Sequence, residues 1–156
     1  MLPPATDTVI LQACGAVFAL ALATAALTDL RSRTIPNAIP LVLMAAFPIA
    51  AWAAGMSAGQ MAWHLAAGAA GLGVAAGLFA VRAWGGGDAK LAATAALWLG
   101  FAPLPRFVLV MALTGGGLAL IMLLTQGRRA RIPYGIAIAA AGLDWWAVAL
   151  LPWGLS

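Results

Sequence analysis

The chain has no glutamate, one cysteine, one histidine and very little charge of either sign. Only 8% of its 156 residues are charged and 65% are hydrophobic, whereas roughly a quarter of the residues in a water-soluble domain are charged. A soluble fold of this length could not hide so much apolar surface, so an integral membrane protein is expected. Cys14 stands alone in an apolar run, which excludes an intramolecular disulfide and a zinc site built on cysteines. His64 has Trp63 beside it and no ligand-type neighbour at its depth, so an interfacial role is expected and no metal. The net charge of +4 comes from basic residues in short gaps between apolar runs. No basic face with interleaved aromatics exists to track a phosphate backbone, so no nucleic-acid partner is expected. The first 28 residues lack Lys and Arg. A signal peptide's basic region is therefore missing, and the first apolar run reads as a retained helix.

What the chain has in abundance is long apolar runs, six of them: 9–28, 38–54, 60–81, 89–104, 106–125 and 133–152. None alternates as a barrel strand would. The expected fold is an all-α integral membrane protein of about six transmembrane helices, forming a single domain over 1–156. The second and fourth runs are short for a hydrocarbon core of about 30 Å. The gaps "DLRSRTIPN", "RAWGGGDAK" and "QGRRAR" hold seven of the eight basic residues: Arg31, Arg33, Arg82, Lys90, Arg128, Arg129 and Arg131. They are alternate gaps, and only Arg106 falls on the other side. The positive-inside rule puts the seven at the cytoplasm and both termini on the outer, periplasmic side. The glycines at 115–117 have no carboxylate beside them and read as a close helix-packing point.

The four carboxylates are Asp7, Asp29, Asp88 and Asp144. A membrane-embedded ionisable residue is costly and raises a functional question wherever it occurs. Asp29 ends the first run and Asp88 opens the fourth, so two complete crossings return both to one side at similar depth. Apposed carboxylates cannot both ionise easily and tend to share one proton. The ionised member can take a proton from water, and the protonated member can polarise a scissile carbonyl. Such chemistry needs no metal, cysteine or histidine. Gly85, Gly86 and Gly87 leave room for an extended peptide beside Asp88. A plainer reading pairs Asp29 with Arg31 or Arg33, and Asp88 with Lys90, as interfacial charges. In the same reading Asn37 only caps the second helix. Asp144, about 18 Å into the last run at 1.5 Å per residue, belongs nearer the outer leaflet with Trp145 and Trp146. Asp7 reads as a solvated terminus.

"TDLRSRTIPNAI" and "GGGDAKLAA" resemble the two signature segments of type IV prepilin peptidases, membrane aspartic peptidases with a GxGD motif. Asp29, Arg31, Ile35, Pro36 and Asn37 match the first, and Gly85, Gly87, Asp88, Lys90 and Leu91 the second. "RIPYGIAIAAAG" is similar to the segment that opens the family's last conserved helix. The resemblance implies Asp29 and Asp88 as the catalytic pair, with Arg31, Pro36, Asn37, Gly85, Gly86, Gly87 and Lys90 as supporting or substrate-binding positions. It implies removal of the basic leader of a prepilin, at the cytoplasmic face of the bacterial inner membrane, without metal or other cofactor. The expected partners are the prepilin's leader and hydrophobic stem, the lipid bilayer and the pilus assembly machinery. Larger members carry a cytoplasmic insertion with paired cysteines and methylate the new pilin terminus. The loop after the first run is only about nine residues, which is similar to the short subgroup serving Flp/Tad pili and argues against methyl transfer. Two other readings compete: a small proton- or cation-coupled transporter using Asp29, Asp88 and Asp144, and a non-enzymatic subunit of a pilus or secretion complex.

Overall fold

The computed structural model describes residues 5–126 and 132–149, and all regular structure among them is helical. The helices are α1 (Ala5–Ser32), α2 (Ala38–Ala53), α3 (Ala58–Ala80), α4 (Gly86–Leu99), α5 (Leu104–Gln126) and α6 (Tyr134–Ala149). Local chemistry explains most of the boundaries. Arg33 adopts a left-handed conformation with φ 55, and its N–H closes α1 on the carbonyl of Asp29 at 2.9 Å. Ile35 precedes a proline, and a residue so placed is disfavoured in a helix. A capping box opens α3: Gln60 N–H donates to Ser57 Oγ at 3.3 Å, and Ser57 N–H to Gln60 Oε1 at 2.8 Å.

The fourth apolar run does not continue to 104. Gly100, at φ 68, ends α4, and residues 101–103 form a turn before α5. Pro105 then sits in the first turn of α5, where its missing N–H costs nothing. Hydropathy stayed high through Gly100, Phe101 and Ala102, so polarity gave no mark of the break.

Among the described residues three helices are long and apolar enough to cross a membrane: Asp7–Ser32 of α1, Ala58–Ala80 and Leu104–Thr125 of α5. Their apolar side chains mostly face outward: Leu20, Val74, Leu113 and Leu124 are all exposed. An apolar exterior of this kind is what lipid solvates, and the chain is a membrane protein. The 14-residue α4 is the opposite case. Every residue from 91 to 100 is buried, because α2, α3 and α6 all pack on this helix. Small residues bring α3 close: a Cβ on Gly71 would lie 2.9 Å from that of Ala96, and one on Gly68 3.0 Å from that of Leu97. Van der Waals contact of this kind drives helix association in lipid, where no hydrophobic difference is available.

The core lies where α1, α2, α4 and α6 meet. Phe18 packs at a tilt against Trp98 at 4.9 Å and meets Trp145 edge to face at 5.5 Å between ring centres. Trp98 Nε1–H donates to the Leu43 carbonyl at 2.9 Å, so the one polar atom of that ring is satisfied. Gly115 allows α5 to approach Tyr134 and Ala137, whereas Gly116 and Gly117 face open space. Only the first glycine of the triplet is a packing point.

Alternation of helix direction gathers the C-terminus of α1 and the N-termini of α2, α4 and α6 at one end of the bundle. Arg31, Arg33, Arg82 and Lys90 share that end, and Arg106 lies at the other. Arg128, Arg129 and Arg131, and the last residues of the sixth run, lie outside the described residues.

Candidate active site

Two aspartates, one glycine N–H and one isoleucine form the centre of the crowded end. Asp29 stands in the last turn of α1 and is 6% exposed. Its Oδ2 accepts the backbone N–H of Gly135, in the first turn of α6, at 2.8 Å. Asp88 stands in the first turn of α4, half-buried, and its Oδ2 accepts the N–H of Gly85 at 3.2 Å. A carboxylate in that position also meets the positive end of its own helix.

Ile35 sets the spacing. A Cβ on Gly87 would lie 3.0 Å from Ile35 Cβ, and a Cβ on Gly135 would lie 3.0 Å from Ile35 Cδ1 and 2.8 Å from Asp29 Oδ2. One buried side chain therefore separates the N-termini of α4 and α6, and a glycine on each helix lets them close on it. The two carboxylates come within electrostatic reach. Asp88 precedes the apolar run 89–104. Burial, and then the charge of Asp29, push its carboxyl up to about 6, against the pull of the Gly85 N–H.

The interfacial ion pairs are not made: among the described residues neither Asp29 nor Asp88 has an ion-pair partner. Arg31 is exposed. The charge of Arg33 is felt at Asp29, yet its Nη1 is buried with no hydrogen-bond partner among the described residues.

The family model described as the type IV leader peptidase family matches residues 16–120, well over half of the chain and inclusive of both aspartates. The chain belongs to that family. No curated protein and no solved structure matches it. It is thus a membrane peptidase of leader sequences, with a prepilin-type substrate.

The remaining polar residues of this leader peptidase divide between the two ends. Lys90 Nζ donates to Asn37 Oδ1 at 2.9 Å. Asn37 does hold the N-cap position of α2, but its side chain makes no cap bond; it ties α2 to α4 instead. Beside this pair opens a largely apolar groove of about 590 Å³ between α2, α3 and α4. Its α4 wall is Lys90, Ala93, Thr94 and Leu97, which at 100° per residue is the face turned away from Asp88. The groove is not the approach to the carboxylates.

At the opposite end Asp144 accepts from Arg106 Nε at 2.8 Å and from Nη2 at 2.9 Å, a two-pronged pair joining α6 to α5. His64 Nδ1 bonds the Leu97 carbonyl at 2.9 Å, and its ring fills the space above Gly100. Asp7 lies in the first turn of α1, at that same end. Among the described residues no three His, Cys, Asp or Glu side chains cluster as a metal site.

Gly135 and the spacer role of Ile35 escaped the sequence reading. A backbone donor has no side-chain signature, and 106 residues separate Gly135 from Asp29. The one available signal was the proline–glycine segment "RIPYG" at the head of the last apolar run.

Proposed function

We propose that this leader peptidase is an aspartic endopeptidase that cuts the basic leader from Flp-type prepilins, with Asp29 and Asp88 as its catalytic pair. The observation that carries this reading is the meeting of two carboxylates 59 residues apart, one buried and one half-buried, without a cation at ion-pair distance among the described residues and within reach of one another's charge. Structural carboxylates are neutralised; a pair left facing each other shares a proton.

The chemistry follows from that shared proton. The ionised carboxylate takes a proton from a water molecule as the water oxygen bonds to the scissile carbonyl carbon. The protonated carboxyl gives its proton to the carbonyl oxygen, forming a neutral gem-diol. On collapse the C–N bond breaks. The first group passes its proton to the departing amine, and the second recovers one from the diol. One water is consumed and both aspartates return to their starting states. Gly85 and Gly86 keep side chains away from the strand of substrate beside Asp88, and Gly87 lets α4 close on Ile35. Arg31, Pro36, Asn37 and Lys90 shape and brace the rim, the last two through their hydrogen bond.

The other assignments have separate supports. Clustering of Arg31, Arg33, Arg82 and Lys90 at the carboxylate end supports cleavage at the cytoplasmic face of a multi-pass inner-membrane protein. Five residues join α1 to α2, too few for the insertion of larger family members, which supports the Flp-type subgroup and a peptidase that does not methylate its product. All of this belongs to one peptidase domain over 1–156. The transporter alternative relied on Asp144 as a third carboxylate, and Arg106 holds that group.

Coexpression with a candidate Flp-type prepilin, read as leader loss on a gel and as the mass of the new pilin N-terminus, tests the reading. Loss of the leader with an unmethylated terminus is expected. A full-length pilin beside correctly inserted enzyme overturns it.

A further inference from the structure

The two aspartates sit in unlike surroundings, and the difference assigns their roles. Asp29 is carried on the last turn of α1, whose free carbonyls disfavour a negative charge. The structure compensates from outside the helix. The N-terminus of α6 is aimed at this carboxylate, and Gly135 N–H reaches Oδ2 at 2.8 Å. Burial works against a charge at Asp29, and the Gly135 N–H and then the positive charge of Arg33 work against burial. Asp88 has a longer bond, 3.2 Å, to the N–H of Gly85 on its own helix. The contact at Asp29 leaves no room for a side chain on the donor, since a Cβ on Gly135 would lie 2.8 Å from Oδ2 and 2.9 Å from Asp29 Cβ.

Resting on the dyad reading, we propose that Gly135 is a positioning residue: its N–H holds Asp29 as the ionised, water-activating carboxylate and leaves Asp88 as the carboxyl that carries the proton. Among the described residues, the groups around Asp29 make this specific. α2 has no ionisable side chain, α6 offers Tyr134 and the Gly135 N–H at this end, α4 offers Asp88, and Arg33 follows α1. The proton shared by the pair then goes to the site with the weaker bond. In the reaction, Asp29 takes the proton of water and later delivers it to the amine, while Asp88 protonates the carbonyl oxygen and recovers a proton from the diol.

The four aspartates and absence of glutamate make a direct test practical. Protein labelled with ¹³C at the aspartate carboxyl carbon, in nanodiscs, should give four resonances, with Asp29 and Asp88 assigned through Asp29→Asn and Asp88→Asn. On acidification the Asp88 resonance should protonate first. In Gly135→Ala the gap between the two should narrow. The acid limb of kcat/KM should move up by about one pH unit, with a loss of about tenfold or more at the optimum. Asp29 protonating first, or Gly135→Ala leaving both the gap and the acid limb unchanged, overturns the proposal. If Gly135→Ala does not fold, the order of titration in the wild-type protein still decides. Failure of the dyad reading would be seen separately, as cleavage surviving in Asp29→Asn or Asp88→Asn whatever the titration order.

Discussion

The two ends of the bundle treat an aspartate in opposite ways. At one end Asp144 receives two hydrogen bonds from a guanidinium, and its charge is neutralised. At the other, among the described residues Asp29 and Asp88 accept only backbone N–H groups and lie within reach of one another's charge, although Arg31, Arg33, Arg82 and Lys90 are all at that end. Cations are available but held elsewhere: Lys90 bonds Asn37, and Arg33 buries an unpartnered Nη1. The contrast teaches that position alone does not separate a structural carboxylate from a working one. Its partner does.

The comparison is broken most severely by removing the facing pair. Asp29→Asn or Asp88→Asn should each cut leader removal by about a thousandfold or more, while membrane insertion, followed by fractionation, is unchanged. Next in size is Gly87→Val, which overpacks Ile35 and should cost about 1–3 kcal/mol of stability together with most of the activity. Gly86→Ala meets only Phe79 at 3.6 Å, so its thermal melt should remain close to wild type, while the added methyl beside the substrate strand should lower cleavage. A pH profile sharpens the contrast further. Asp88 holds its proton below about 6 and loses it above, so kcat/KM should decline as pH rises through that value. A flat profile between pH 5 and 8 would remove Asp88 as the acid. The smallest effect belongs to the neutralised end: Asp144→Asn should change cleavage by less than about twofold, because an exposed ion pair contributes little.

Much of this was legible in the sequence, for reasons that particular residues make plain. The apolar runs, the bias of basic gaps and the placement of Asp29 and Asp88 depend on local composition and on counting crossings, and a sequence states both directly. What it hid were pairings whose partners lie far apart along the chain. Gly135 and Asp29, Lys90 and Asn37, and Arg106 and Asp144 are 106, 53 and 38 residues apart. Asn37 had the right residue type to cap α2, and tertiary contact with Lys90 took its side chain instead. Gly100 ended α4 through backbone conformation, inside a stretch that remained apolar.

The shortness of α4 has a consequence for how the bilayer acts on this enzyme. Fourteen residues make a rod of about 21 Å, well under the roughly 30 Å of a hydrocarbon core. Its neighbours surround it, so its length is never matched against lipid. Hydrophobic mismatch falls on the long, lipid-facing α1, α3 and α5, which answer a thicker or thinner membrane by tilting. The position of the tip of α4, with Asp88, is thereby set by the surrounding helices and not by lipid. Membrane thickness acts directly on α1, which carries Asp29, and reaches Asp88 only through the helices packed on α4.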